Sequence, residues 1–138
     1  MEIIDIFRVA VDSGLLVLIW MVQRIVYPSF LHIKPEDFQE WHRAYTRIIT
    51  YIVMPLMFGQ VFIYGFLLFE SPALSISISA VLIAFIWIQT FWFFVPFHTK
   101  MTKNEEKIAA FRPIIRKNWV RTVFWTVIWV ITLMDLLL

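Results

Sequence analysis

Asn118-Trp119-Val120-Arg121-Thr122 opens the last long apolar run of this chain and sets an arginine inside what otherwise reads as a membrane-spanning helix. A charge at the centre of a span costs about 2.5–3.5 kcal/mol on insertion scales, so it faces the bundle interior and takes a partner there. Just before it, the segment 98–117 carries Lys100, Lys103, Lys107, Arg112, Arg116 and Lys117, the most basic stretch of the protein. An arginine kept inside an apolar run, beside a basic loop, is the signature of a polytopic bundle with a polar interior.

Working outward, apolar runs dominate. Of 138 residues, 61% are hydrophobic and only 16% charged, with the charges gathered in a few short stretches. Soluble domains sit nearer half apolar and interrupt their apolar runs more often. The reading is an all-α, integral membrane, four-helix bundle forming one domain over residues 1–138. A span needs roughly 20 apolar residues, and four stretches qualify: 7–30, 47–69, 74–97 and 119–138. Pro55 and Gly59 lie inside the second, and a bundle tolerates Pro55 because neighbouring helices satisfy the freed carbonyl. Ser71-Pro72 is a tight turn that pairs spans 2 and 3. Glu36 and Asp37 suit a helix N-terminus that runs straight into span 2. Between spans 3 and 4, Ile108, Phe111, Ile114 and Ile115 give the basic segment an apolar side. That pattern predicts a short interfacial helix broken at Pro113.

Orientation follows from the basic residues. The end of the bundle holding both termini has only Arg8, whereas the other end has 11 of the 12 Lys and Arg. The positive-inside rule places that second end in the cytoplasm and both termini outside, a multi-pass topology in a bacterial inner membrane. Glu2 and Asp5 stand where the basic n-region of a signal peptide belongs. The basic residues flank spans, so they are topology signals and no nucleic-acid partner is expected. No cysteine is present, which excludes disulfides and thiolate metal sites.

All four helices bring hydrogen-bonding groups to one level near the cytoplasmic end. Trp20, Gln23 and Tyr27 share a face of helix 1, and Arg43, Thr46 and Thr50 share one of helix 2. Gln89 and His98 lie toward that end of helix 3, while Asn118, Arg121 and Trp125 line up on helix 4. The outer halves offer less: Gln60, a few Ser and Thr hydroxyls, and Asp12 and Asp135 near the far surface. A pocket open to the cytoplasm or inner leaflet is predicted, with Gln23, Tyr27, Arg43, Thr46, Gln89, Trp20 and Trp125 binding substrate. Each group has a structural alternative. Arg24, Arg43 and Arg47 reach lipid phosphates by snorkelling, Gln23 and Tyr27 act as interhelical glue, and the tryptophans anchor the interface. His42 and His98, at similar depth on different helices, are the candidate ligands for a transition metal or haem iron. No sequence motif requires either cofactor. Gly59 and Gly65 would let a second copy approach, giving a homodimer.

Several short motifs resemble known families. Gln23-Arg24-Ile25-Val26-Tyr27-Pro28-Ser29-Phe30, Trp41-His42-Arg43-Ala44-Tyr45-Thr46-Arg47 and Val53-Met54-Pro55-Leu56-Met57 resemble segments of small bacterial four-helix membrane proteins without assigned functions. Val95-Pro96-Phe97-His98 with Asn118-Trp119-Val120-Arg121-Thr122 is similar to the anthrone-oxygenase-like family, which shows a Val-Pro step after helix 3 and an Asn-x-x-Arg element in helix 4. That resemblance implies a membrane protein handling a lipophilic, aromatic or quinone-like molecule. Trp20 with Arg24 resembles the end of helix 1 in haem-binding membrane protoporphyrinogen oxidases. Those proteins also carry a histidine early in helix 1 and a lysine within helix 3, and this chain has neither.

The functional expectation is a membrane oxidoreductase or oxygenase-like enzyme. Arg121 and Asn118 would stabilise a developing enolate or phenolate oxygen, and His42 or His98 would move the proton. The alternatives are a non-enzymatic lipid- or ligand-binding module or transporter subunit, and a haem-binding membrane oxidase.

Overall fold

The computed structural model describes residues 1–103 and 108–138, and it is helical almost throughout. Helix α1 covers Ile3–Met21 and continues through a π-helical turn at Val22–Val26 and short turns at Tyr27–Ser29 and Phe30–His32. Helix α2 is one run of 36 residues, Pro35–Glu70, with Glu36 and Asp37 in its first turn and Pro55 inside it. Helix α3 spans Leu74–Thr102 and contains a second π turn at Thr90–Phe94. Helix α4 is Phe111–Leu137.

The chain forms an up-down-up-down bundle. Opposed contacts fix the antiparallel order: Gly14 against Leu56 for α1 and α2, Phe58 against Trp87 for α2 and α3, Phe85 against Phe124 for α3 and α4, and Arg8 against Asp135 for α1 and α4. Helices α2, α3 and Ile108–Leu137 are long and apolar enough to cross a membrane. Helix α1 carries Asp5, Arg8 and Asp12 within its 19 residues. At about 1.5 Å per residue α2 is longer than a bilayer core is thick.

Two expectations are corrected. The fourth helix begins at Phe111, not near 119, and Pro113 sits in its first turn, where a missing N–H costs nothing. The segment between α3 and α4 therefore forms no separate interfacial helix among the described residues. It holds a single 3-10 turn, Ile108–Ala110, while Arg112, Arg116 and Lys117 belong to α4; Lys107 lies outside the described residues. The half of the bundle holding both termini, expected to be poor in polar groups, is also far from sparse. Asp12 is buried and accepts from Gln60 Nε2 at 2.7 Å, Tyr64 Oη at 2.6 Å and Thr132 Oγ1 at 2.7 Å. Arg8, counted above only as a topology charge, is buried too; it donates to Tyr64 Oη at 3.1 Å and pairs with Asp135 at 2.8 Å. Burial of these charges in α1 is tolerable because each meets hydrogen-bonding partners on other helices.

Proline explains both π turns. Pro28 and Pro96 lack an N–H and crowd the carbonyl four residues back, so the helix widens just before each. Tyr27 N–H bonds to Val22 O, and Val95 N–H bonds to Thr90 O, each spanning five residues. Both π turns lie at the level of the polar residues singled out above, and such turns are frequent at functional sites.

Candidate functional site

Arg121 organises the half of the bundle nearer the basic end. Its Nε and Nη2 donate to Asn118 Oδ1 at 2.9 and 2.6 Å, Nη1 donates to Thr90 Oγ1 at 3.2 Å, and Nη2 also donates to Tyr27 Oη at 3.2 Å. The guanidinium carbon stands 3.6 Å from the centroid of the Phe94 ring, a cation–π contact. Asn118 is fully buried, and its amide donates to Gln23 Oε1 at 2.9 Å, which also accepts from Thr122 Oγ1 at 3.0 Å. Gln23 in turn donates to Ile115 O at 2.9 Å. Helices α1, α3 and α4 are thus tied together at one level, with every partner of Arg121 uncharged.

From Tyr27 the hydrogen bonds run on to the histidines. Tyr27 Oη lies 2.9 Å from His98 Nε2, His98 Nδ1 lies 2.8 Å from His42 Nε2, and His42 Nδ1 lies 3.0 Å from Thr102 Oγ1. Arginine can only donate, so the Tyr27 oxygen accepts from Arg121 and the Tyr27 hydroxyl hydrogen goes to His98 Nε2. Neutral His98 then donates through Nδ1 to His42 Nε2, and His42 donates through Nδ1 to Thr102. With the Tyr27 hydroxyl hydrogen assigned to His98, both tautomers follow and the row runs in a single direction, from the bundle interior to the end of α3. His42 is fully buried, stacked on Phe38 and packed against Phe30 and Phe111.

Beside this row is a cavity of about 440 Å³. Tyr27, His98, Thr90, Phe94, Arg121 and Trp125 form its inner wall, with Leu18, Ile19 and Val22 of α1 and Val53 and Met54 of α2 as apolar lining. Its exposed lining residues, Arg43, Arg47, Thr50, Val95 and Thr99, all belong to α2 and α3, so the mouth opens between those two helices toward the basic end.

No family model, curated protein or solved structure matches the chain. The site therefore rests on its own geometry.

Of the residues predicted to bind substrate, Tyr27, Arg43, Thr46 and Trp125 line the cavity, as do His98 and Arg121 among those predicted to act on it. Asn118 and His42 sit one layer behind and hold the lining residues Arg121 and His98, and Gln23 lies behind Asn118. Trp20 and Gln89 are elsewhere. Trp20 is 40% exposed, donates to Thr126 Oγ1 and meets Trp119 edge-on, while Gln89 donates to Lys117 O. His42 and His98 come together as expected of ligands, but each bonds directly to the other. No third His, Cys, Asp or Glu joins them among the described residues. Tyr45, Thr50, Thr90, Phe94 and Thr99 also line the cavity. Thr90, Phe94 and His98 follow one another at four-residue intervals, a spacing visible in the sequence.

Proposed function

We propose that this protein is a four-span bacterial inner-membrane protein, both termini outside, that acts as a small oxidoreductase or oxygenase-like enzyme on a lipophilic aromatic or quinone-like molecule. The observation that carries the reading is the cavity walled by Arg121, Tyr27 and His98, with its mouth between α2 and α3. A molecule dissolved in the inner leaflet would enter laterally and lie against Phe94 and Trp125.

The chemistry these residues offer is proton transfer with charge stabilisation. Tyr27 holds a proton already directed at His98, so it is set to receive one from a phenol or enol in the cavity as its own moves to His98 Nε2. The incoming proton is then held on the His98–His42 pair, with Thr102 Oγ1 as the neighbour of His42 Nδ1 at the end of the row. A row of this direction works as a general base. The oxyanion left behind would be stabilised by the Arg121 guanidinium. Asn118 is a positioning residue, because both of its bonds to Arg121 aim the guanidinium and none reaches the cavity. This agrees with the activity implied by the anthrone-oxygenase-like resemblance. Among the described residues, His42 and His98 offer haem or a metal two nitrogens that already bond each other.

The near-complete engagement of Arg121 by Asn118, Thr90 and Tyr27 favours a second reading, a ligand-binding module without turnover. A homodimer fits either reading. Gly59 meets Val11 of its own chain, whereas a side chain added at Gly65 would meet open space, so Gly65 is the glycine available to a second copy.

The test is stopped-flow absorbance of an anthrone and of a short-chain naphthoquinol with protein purified in mild detergent. We expect a ligand-dependent shift toward the anion spectrum that is lost in Tyr27→Phe and His98→Ala. A spectrum unchanged by the native protein would sink the enzymatic reading.

A further inference from the structure

Among the described residues Arg121 is a buried cation with no counter-charge. It is 7% exposed, and its hydrogen-bond partners are an amide and two hydroxyls. Among the described residues the one ion pair is Arg8 with Asp135, in the other network. A buried charge without a counter-charge carries a penalty of several kcal/mol after relaxation. Guanidinium has five N–H donors, and Arg121 uses four of them. One Nη1 hydrogen is left, on a group that lines the cavity. Two further guanidiniums, Arg43 and Arg47, stand at the mouth, and no carboxylate side chain contributes to the lining among the described residues. Apart from the His98 imidazole, the rest of the wall is apolar or hydroxylic.

We infer that the cavity selects a lipid-soluble monoanion, a carboxylate or phenolate on a flat or acyl body, with its charged oxygen on the free Arg121 Nη1–H. The inference rests on the cavity reading above and adds the charge of the ligand to it. The body of the ligand lies along Phe94, Val22 and Met54, leaving by the mouth between α2 and α3. Arg43 and Arg47 raise the local concentration of anions at the entrance but stay in water, where each pairing is weak. The row from Tyr27 to Thr102 serves the same end, since it takes the proton of a weak acid and leaves the anion facing Arg121.

The experiment is binding of 1-pyrenebutanoic acid and of 1-pyrenebutanol, two probes alike except for the acidic head. Energy transfer from tryptophan would be followed in mild detergent at pH 7.5 or so. A charge-assisted hydrogen bond in a desolvated site is worth roughly 1.5–3 kcal/mol, so the acid should bind about ten- to hundred-fold more tightly than the alcohol. Arg121→Gln should erase that preference, and Arg43→Gln with Arg47→Gln should reduce it only two- to three-fold. Because Arg121→Gln perturbs a buried network, the comparison in the native protein decides the matter by itself. Equal saturable affinity for acid and alcohol overturns the anion inference and leaves the cavity reading standing. No saturable binding of either overturns both. A preference that survives Arg121→Gln and vanishes in the Arg43/Arg47 pair moves the anion to the rim and overturns the placement on Arg121.

Discussion

Asp12 is the most demanding residue to remove from this bundle. Its carboxylate accepts from three donors, Gln60, Tyr64 and Thr132, and donates to none, the pattern of an ionised group. Interhelical hydrogen bonds in membrane bundles average roughly 0.6 kcal/mol, and charge assistance about doubles that. Three such bonds amount to about 3–4 kcal/mol. The Tyr64 and Thr132 hydroxyls are 2.9 Å apart and can turn to each other after truncation, which recovers part of one bond. Asp12→Ala should therefore destabilise the protein by about 3 kcal/mol. Asp12→Asn should cost under about 1 kcal/mol: its oxygen still accepts from Gln60 and its amide donates to the two hydroxyls. The lost charge assistance is offset by no longer holding a carboxylate away from water. The assay is unfolding in mixed micelles as the fraction of dodecyl sulfate rises, followed by tryptophan fluorescence. Equal midpoints for the Ala and Asn variants, or an Ala variant as stable as the native protein, would refute the claim that the hydrogen bonds of Asp12 tie these helices together.

Other substitutions probe separate parts of the bundle. Asp135 is the ion-pair partner of Arg8, whose side chain is only 3% exposed, so Asp135→Asn leaves a buried guanidinium with a neutral acceptor and should cost about 1.5–3 kcal/mol in the same unfolding assay. Ser79 Oγ is buried with no hydrogen-bond partner among the described residues; Ser79→Ala should be neutral or raise the midpoint, and a loss above about 1 kcal/mol would reveal a partner. A Cβ at Gly59 would rest 3.7 Å from Val11 Cγ2, an ordinary contact. Gly59→Ala should gain about 0.5–1 kcal/mol from helix propensity, which a thermal melt in detergent will show.

The placement of these residues was legible in unequal measure. Depth along a helix can be read from the distance to the span ends, and it brought His42, His98, Tyr27 and Arg121 to one level before any contact was known. Rotation about the helix axis is harder to read, because it depends on the helix being regular. Trp20 shares the depth of the site yet faces Trp119 and Thr126. Gln89 precedes His98 across the π turn at Thr90–Phe94, where a regular 3.6-residue count no longer gives the rotation, and it donates to Lys117 O. The network around Asp12 was underrated for a different reason. Tyr64 and Thr132 look like ordinary apolar-helix residues, and nothing local in the sequence says that they converge with Gln60 on one carboxylate from α1.

The irregularity of α1 and α3 is what completes the site, and it can be tested separately from the chemistry. At 3.6 residues per turn, Thr90 and His98 would sit about 80° apart around α3. The wider turn at Thr90–Phe94 brings them toward one line facing Arg121 and Tyr27. In α1 the turn at Val22–Val26 does the same service for Tyr27, which must reach Arg121 with one side of its oxygen and His98 with the other. Each turn is held open by a proline directly downstream. Pro28→Ala restores an N–H at position 28 that can bond to the Arg24 carbonyl, so α1 can close into a regular helix. Closing it swings Tyr27 around the axis relative to Ile19 and Val22 and separates it from Arg121 or His98. The variant should unfold no earlier than the native protein, since it gains a backbone bond and loses a side-chain one. Its affinity for the pyrene acid should fall by about ten-fold, the value of one charge-assisted hydrogen bond at the low end of the range. Stability retained with affinity lost would show that the π turn is kept for the site and not for the bundle. Affinity retained in Pro28→Ala would mean that Tyr27 is placed by its neighbours and that the turn is incidental.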